Sequence, residues 1–169
     1  MIIRAETKDD YSLVQTLNEI AFGQPDEAEL VSKLRQNPDY LPELSLVAEE
    51  NNKIIGHILF TPAEIVNGEQ HHKSLALAPM SVLPEQQNKG IGSTLVKAGF
   101  EKAKQLGFSS VIVLGHPDYY PRFGFLPAKQ FGIHPPVEEW QSAFFAKELK
   151  DTALKNVSGE VKYLPEFGI

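Results

Sequence analysis

Between Lys73 and Gly115 the chain reads as a strand, a glycine-bearing loop, a helix and a second strand, and this run constrains the fold more than any other. KSLALAPMSVL is extended and apolar, and VLPEQQNKGIGSTLVKAGFEKAKQLGF then carries two glycines into a helical pattern. Leu95, Val96, Phe100 and Ala103 share one helix face, and Gly107 stands where a left-handed residue closes a helix. SSVIVLG has no polar alternation, which predicts a strand buried on both faces. Strand, helix and strand in succession predict a crossover between parallel strands.

The elements before this run pair differently. Met1 to Glu6 reads as a strand, and Asp9 or Asp10 caps a helix that turns Leu13, Val14, Leu17, Ile20 and Ala21 inward. A second helix is expected from Asp26 to Gln36, with Leu30, Val31 and Leu34 inward and Asn37-Pro38 as its stop. LSLVAEE and IIGHILFTP are joined by Asn51-Asn52-Lys53, whose asparagines tolerate the positive φ of a tight hairpin. KSLALAPMSVL continues this meander. Pro79 has no N–H to give to a ladder, so a bulge or an edge is expected near it. In the last third, strands are expected within FGFLPAKQFGI, AFFAKEL and VKYLP. No repeat, charge block or low-complexity linker divides the 169 residues, which predicts one domain over 1–169. Its class is α+β, with a central mixed sheet and helices on both faces.

Composition narrows the function. With 42% hydrophobic residues the chain supports a core without staples. It contains no cysteine, which excludes disulfides and thiolate chemistry and agrees with a reducing compartment. No apolar run is long enough to span a bilayer, and MIIRAETKDD lacks the basic start and apolar stretch of a signal peptide, so a cytoplasmic protein is expected. A net charge of -6 disfavours nucleic acid over a broad surface and suits a small cationic or neutral partner.

The loop Gln87-Asn88-Lys89-Gly90-Ile91-Gly92 sits at a helix start, where unpaired amides and partial positive charge favour an anion. Two glycines leave room for a pyrophosphate and Lys89 adds a cation, so the loop can form an anion nest. A nucleotide P-loop would end in Gly-Lys followed by Ser or Thr, and that order is absent. A dinucleotide fingerprint would need a third glycine near Leu95 and a turn directly off the strand, but Pro84 to Lys89 intervene. A plain turn into a helix is the alternative to an anion site.

Val82-Leu83-Pro84, then Gln87-x-x-Gly90-x-Gly92, the amphipathic helix, the buried strand and Tyr119-Tyr120-Pro121-Arg122-Phe123-Gly124-Phe125 together resemble the GNAT superfamily of acetyl-CoA-dependent N-acetyltransferases. LAPMSV, GHILFTP and YYPRFGF are similar to its bacterial YhbS-like branch, over most of the chain and most specifically from Leu75 to Phe125. The resemblance implies a GNAT-like three-layer α/β/α domain whose mostly antiparallel sheet splays at the cofactor site. It implies that backbone groups of Met80, Ser81 and Val82 meet the pantetheine arm and thioester of acetyl-CoA, as an added strand would. The amides of Gln87, Asn88, Lys89, Gly90, Ile91, Gly92 and Ser93 would hold the pyrophosphate. Tyr120 would protonate the departing CoA thiolate, with Tyr119 as the alternative. Many members place a longer helix before that tyrosine, whereas here only His116-Pro117-Asp118-Tyr119 separate Gly115 from Tyr120.

Other polar residues have two readings each. His57 either faces solvent by strand alternation or takes the amine proton, and His116 either caps a turn or serves as that base. His71 and His72 read as surface loop residues, with no metal-ligand spacing. Glu49 and Glu50 read as solvated, Asp118 as a helix cap or an attractor of the amine, and Arg122 as a phosphate contact or a stem packed under the loop. Trp140 and Phe144-Phe145 read as core or cover. The expected reaction is acetyl transfer from acetyl-CoA to a primary amine by direct attack, with no metal. Its acceptor is a small molecule, a peptide N-terminus or a lysine. The alternatives are a CoA-binding regulatory module without turnover and a structural interaction domain.

Overall fold

The computed structural model describes residues 1–169. In chain order the elements are β1 (Ile2–Ala5), α1 (Tyr11–Phe22), α2 (Asp26–Leu34), β2 (Ser45–Glu50), β3 (Lys53–Asn67), β4 (Gln70–Val82), α3 (Ile91–Gln105), β5 (Ser110–Leu114), β6 (Leu126–Pro127), β7 (Ile133–His134), β8 (Phe144–Glu148) and β9 (Gly159–Lys162). The strands follow the order β1-β2-β3-β4-β5-β8-β6, and β9 pairs with β3 and β7. Parallel pairing joins β4 to β5 and β7 to β9, while β1–β2, β2–β3, β3–β9, β5–β8 and β6–β8 are antiparallel. This is the expected α+β class with a mixed, mostly antiparallel, open sheet. The chain forms two compact units, one of Met1–Phe60 with Ala78–Lys102 and one of Thr61–Leu77 with Ala103–Ile169.

In the first unit the hairpin between β2 and β3 turns on Asn51 and Asn52, at φ 51° and 62°. Two successive left-handed residues make the tight turn whose twist matches the strands. Helices cover both faces of this part of the sheet. A Cβ on Gly56 would meet Leu95 Cδ1 of α3 at 3.0 Å, so Gly56 faces α3. Phe60 continues that face and lies edge-on to Phe100, and a Cβ on Gly99 would fall 2.2 Å from Phe60 Cε2. On β4, the Ser81 hydroxyl bonds Asn18 of α1.

The first helix differs from its expected form. A 3-10 turn over Lys8–Asp10 precedes α1, and the Asp10 carboxylate turns back to accept the Thr7 N–H at 2.7 Å. Arg4 donates to both oxygens of that carboxylate at 2.7 and 2.9 Å, which holds it down to about 2. The buried face of α1 is Val14, Leu17 and Asn18, whereas Leu13 and Ile20 are about half exposed. The packed arc is narrower than its apolar residues suggest because a buried asparagine occupies part of it. Helix α2 ends at Leu34, two residues early, since the Gln36 and Asn37 amides bond three residues back.

In the second unit β4 and β5 pair only at Leu75↔Val111 and Ala76↔Ile112. Strand order therefore places β4 inside the sheet and not at an edge, but its ladder with β5 ends before Pro79. Ser74 and Ser110 bond through their hydroxyls at 2.7 Å just below this short ladder. Ile65, Ile112, Phe144, Ala146 and Val161 form its core. FGFLPAKQFGI is not one strand: a 3-10 turn over Ala128–Phe131 separates β6 from β7. Phe144 and Phe145 are core residues of β8, as one of their two readings held, and Trp140 is half-buried in a preceding 3-10 turn.

Candidate active site

The first unit carries the glycine loop. After β4 a 3-10 turn over Pro84–Gln86 leads to Gln87, and Asn88 and Gly90 adopt φ 63° and 83° on either side of Lys89. Alternation with left-handed residues turns successive amides toward one side, the geometry of an anion nest. The Gly90 carbonyl accepts the Thr94 amide at 3.0 Å and its hydroxyl at 2.9 Å, so it closes the first turn of α3. The amides of Ile91, Gly92 and Ser93 are then left without acceptors inside the helix. Residues Gln87–Gly90 are exposed, and a Cβ on Gly90 would meet nothing within 4 Å. The space beside this backbone is open.

Not every group of the loop is free. The Gln87 amide donates to the Pro84 carbonyl at 3.3 Å, and its side-chain Nε2 donates to the Val82 carbonyl at 3.2 Å. Lys89 Nζ reaches Gln86 Oε1 at 3.4 Å. Met80 and Val82 are half-buried, whereas Ser81 is buried and its hydroxyl donates to Asn18 Oδ1 at 2.7 Å.

The second unit carries the tyrosines. The helix that the sequence shortens is reduced to 3-10 geometry over Tyr120–Phe123, entered by a turn in which the His116 carbonyl accepts the amides of Tyr119 and Tyr120. Tyr120 is buried, edge-on to Tyr119 at 5.2 Å and to Phe125 at 5.7 Å between ring centres. A Cβ on Gly115 would lie 2.6 Å from Tyr120 Cε2, so the ring fills the space that this glycine leaves. Burial, with a smaller effect from Tyr119, pushes the Tyr120 phenol up to about 12. It keeps its proton at neutral pH. Arg122 is exposed and lays its guanidinium 4.4 Å from the centre of the Tyr119 ring, so it packs on the turn.

His57 departs from its solvent-facing reading: it is fully buried, with Nε2 2.9 Å from Ser45 Oγ. Ser45 donates its hydroxyl proton to Glu6 Oε1 at 2.8 Å, so Nε2 must carry the hydrogen of the His57 contact. Glu6 also accepts two bonds from Arg35, at 3.1 and 2.9 Å. Burial lowers His57 to about 4, with Glu6 opposing and Arg35 reinforcing the shift, so the ring is neutral at pH 7. So weak a base is poorly matched to taking a proton from an ammonium. Sequence reasoning missed this set because Glu6, Arg35, Ser45 and His57 are scattered along the chain.

The side chain of His116 is exposed, and its carbonyl caps the turn. His71 lies 3.2 Å from Glu64 on the surface. Glu49 is paired with Arg4 at 3.2 Å, not simply solvated. No three histidine or carboxylate side chains gather where they could hold a metal ion.

The model of the acetyltransferase (GNAT) family matches residues 11–125, which include the glycine loop and the tyrosine turn. The chain belongs to the GNAT family. This GNAT chain is 34% identical to the N-acetyltransferase YjhQ of Escherichia coli K12 over 92% of its length and 87% of that protein's. It is 33% identical to the N-acetyltransferase YhbS of the same strain over 99% of its length and 98% of that protein's. Against the crystal structure of E. coli YhbS in complex with CoA the TM-score is 0.92, at 30% identity, covering 99% of this chain and 92% of that one. Against a GNAT acetyltransferase from Brucella melitensis in complex with acetyl-CoA it is 0.80, at 30% identity, covering 98% and 97%. As a GNAT member with these relatives, the protein is an N-acetyltransferase.

Proposed function

We propose that this enzyme transfers the acetyl group of acetyl-CoA to a primary amine by direct attack, and that residues 1–169 act as one N-acetyltransferase domain. The observation that carries the reading is the loop before α3, where left-handed Asn88 and Gly90 precede three helix amides that lack internal acceptors. Met80, Ser81 and Val82 meet the pantetheine arm through their backbone. Asn88, Lys89, Gly90, Ile91, Gly92 and Ser93 hold the pyrophosphate, while Gln87, whose amide donates to the Pro84 carbonyl, braces the Val82 carbonyl through its side chain. The CoA and acetyl-CoA complexes of the two relatives support acetyl-CoA as the co-substrate.

In the reaction the neutral amine nitrogen forms a bond to the thioester carbonyl carbon and the bond from that carbon to sulfur breaks. The amine loses one proton to solvent water, the departing thiolate takes one from Tyr120, and the tyrosinate so formed regains its proton from solvent before the next turnover. A phenol at about 12 is matched to this task only where the thiolate is itself desolvated and made more basic. A peptide N-terminus, a lysine or a small amine fits as acceptor, and the net charge of -6 favours cationic ones. The absence of cysteine is compatible with the cytoplasm as the place of action. Calorimetry with acetyl-CoA, followed by CoA release over a panel of amines, tests the proposal. Binding with release on at least one amine is expected. Binding without release on any amine supports a CoA-responsive regulatory module instead.

A further inference from the structure

Asn18 lies in the middle of α1 and is fully buried, and Ser81, on β4, is 4% exposed. The Ser81 hydroxyl donates to Asn18 Oδ1 at 2.7 Å, while Asn18 Nδ2 has no hydrogen-bond partner. Stability does not explain this choice. Asparagine is a poor helix-interior residue, and a buried donor without an acceptor is costly. Leucine has a similar size and carries neither penalty. Val14 and Leu17 already supply apolar burial on the same face of α1.

What the pair adds is direction. A strand's peptide planes are ordinarily fixed by ladders on both edges. The register pairs of β4 with β5 end at Ala76, so Met80–Val82 has no β5 ladder to set its rotation. Successive strand side chains point to opposite faces, and anchoring the middle one therefore fixes how the flanking peptide groups are turned. On the neighbouring residue, Gln87 Nε2 holds the Val82 carbonyl at 3.2 Å as a second restraint.

We propose that Asn18 is a positioning residue for the thioester cofactor. Through the Ser81 hydroxyl it sets the rotation of the Met80–Val82 backbone and so the aim of the groups that receive the pantetheine arm. This inference rests on the acetyl-CoA reading above. Asn18 itself, being wholly buried, does not touch the ligand.

The test uses the full chain, with calorimetry for acetyl-CoA affinity and thermal melting for the fold, so no acceptor is needed. Replacing both partners of a buried hydrogen bond by apolar groups is close to neutral for stability. Asn18→Leu/Ser81→Ala is therefore expected to melt within a few degrees of the wild type or above it, yet to bind acetyl-CoA about tenfold more weakly. Each single variant should weaken binding as much as the double, because both break one contact. A double variant that binds as tightly as the wild type overturns the proposal. A double variant that fails to fold, or single variants that bind as tightly as the wild type, also overturn it by showing a structural role or a contact without effect. A wild-type protein that does not bind acetyl-CoA defeats the functional reading itself, and the inference with it.

Discussion

The Cβ that any residue but glycine would place at position 115 lies 2.6 Å from Cε2 of Tyr120. The end of β5 and the ring of the proposed acid therefore occupy one space. Gly115→Ala must push the ring aside, at about 1–3 kcal/mol for an overpacked site. Lower turnover with acetyl-CoA affinity near that of the wild type is expected. Steady-state kinetics beside calorimetry reads this, and unchanged turnover would show that the ring position is unimportant to the reaction.

Tyr120→Phe keeps the ring and its edge contacts with Tyr119 and Phe125 but removes the hydroxyl. A loss of about 10²- to 10⁴-fold in turnover is expected if that hydroxyl is the general acid. Since the phenol stands at about 12, the wild-type rate should not fall at pH 10 through loss of this proton. Tyr119→Phe is the control. If it loses turnover while Tyr120→Phe does not, the acid is the neighbouring residue.

Valine at positions 90 and 92 tests the anion nest in two ways. Gly90 adopts φ 83° with open space around it, so Gly90→Val is strained at about 1–2 kcal/mol even though nothing blocks its side chain. Position 92 lies in the first turn of α3, where glycine is the poorer helix former, so valine there costs the helix nothing in propensity. Both variants should weaken acetyl-CoA binding, and Gly92→Val should do so with the smaller drop in melting temperature. Full affinity in Gly92→Val would remove phosphate from this loop.

His57 makes the fold sensitive to acid. Its imidazole stands at about 4 in the folded chain and near 6.5 unfolded, so the unfolded state binds the proton more readily. The stability it contributes is present above about pH 6.5 and is lost as pH falls through 4. Melting curves between pH 7 and 4 should therefore fall less steeply for His57→Gln than for the wild type. Parallel curves would show that the burial of this ring does not govern the acid limb.

Local pattern made much of this fold legible. The Asn51-Asn52 turn, the apolar face of α3 and the unalternating SSVIVLG each carry their geometry within a few residues. Asn18 and His57 did not: Asn18 gives no signal until Ser81 is seen beside it, and the polar side chain of His57 reads as outward-facing until Ser45 is. Those partners lie 63 and 12 positions away in sequence, beyond any periodicity argument. The same holds for the site. The glycine loop announces its amides through Gly90 and Gly92, but the exposed side chain of His116 and the packing of Arg122 on Tyr119 depend on a turn with no regular period.

Gly99 and Phe60 share one volume, since a Cβ on the glycine would fall 2.2 Å from the phenylalanine ring. Neither residue can drift independently in evolution. A lineage that enlarges position 99 must first shrink position 60, or α3 is lifted from the sheet and carries the glycine loop at its start along with it. Across related sequences the two positions should trade volume while their sum stays nearly constant. An inheritance pattern at two residues that meet no ligand would then record how closely this helix must approach its sheet.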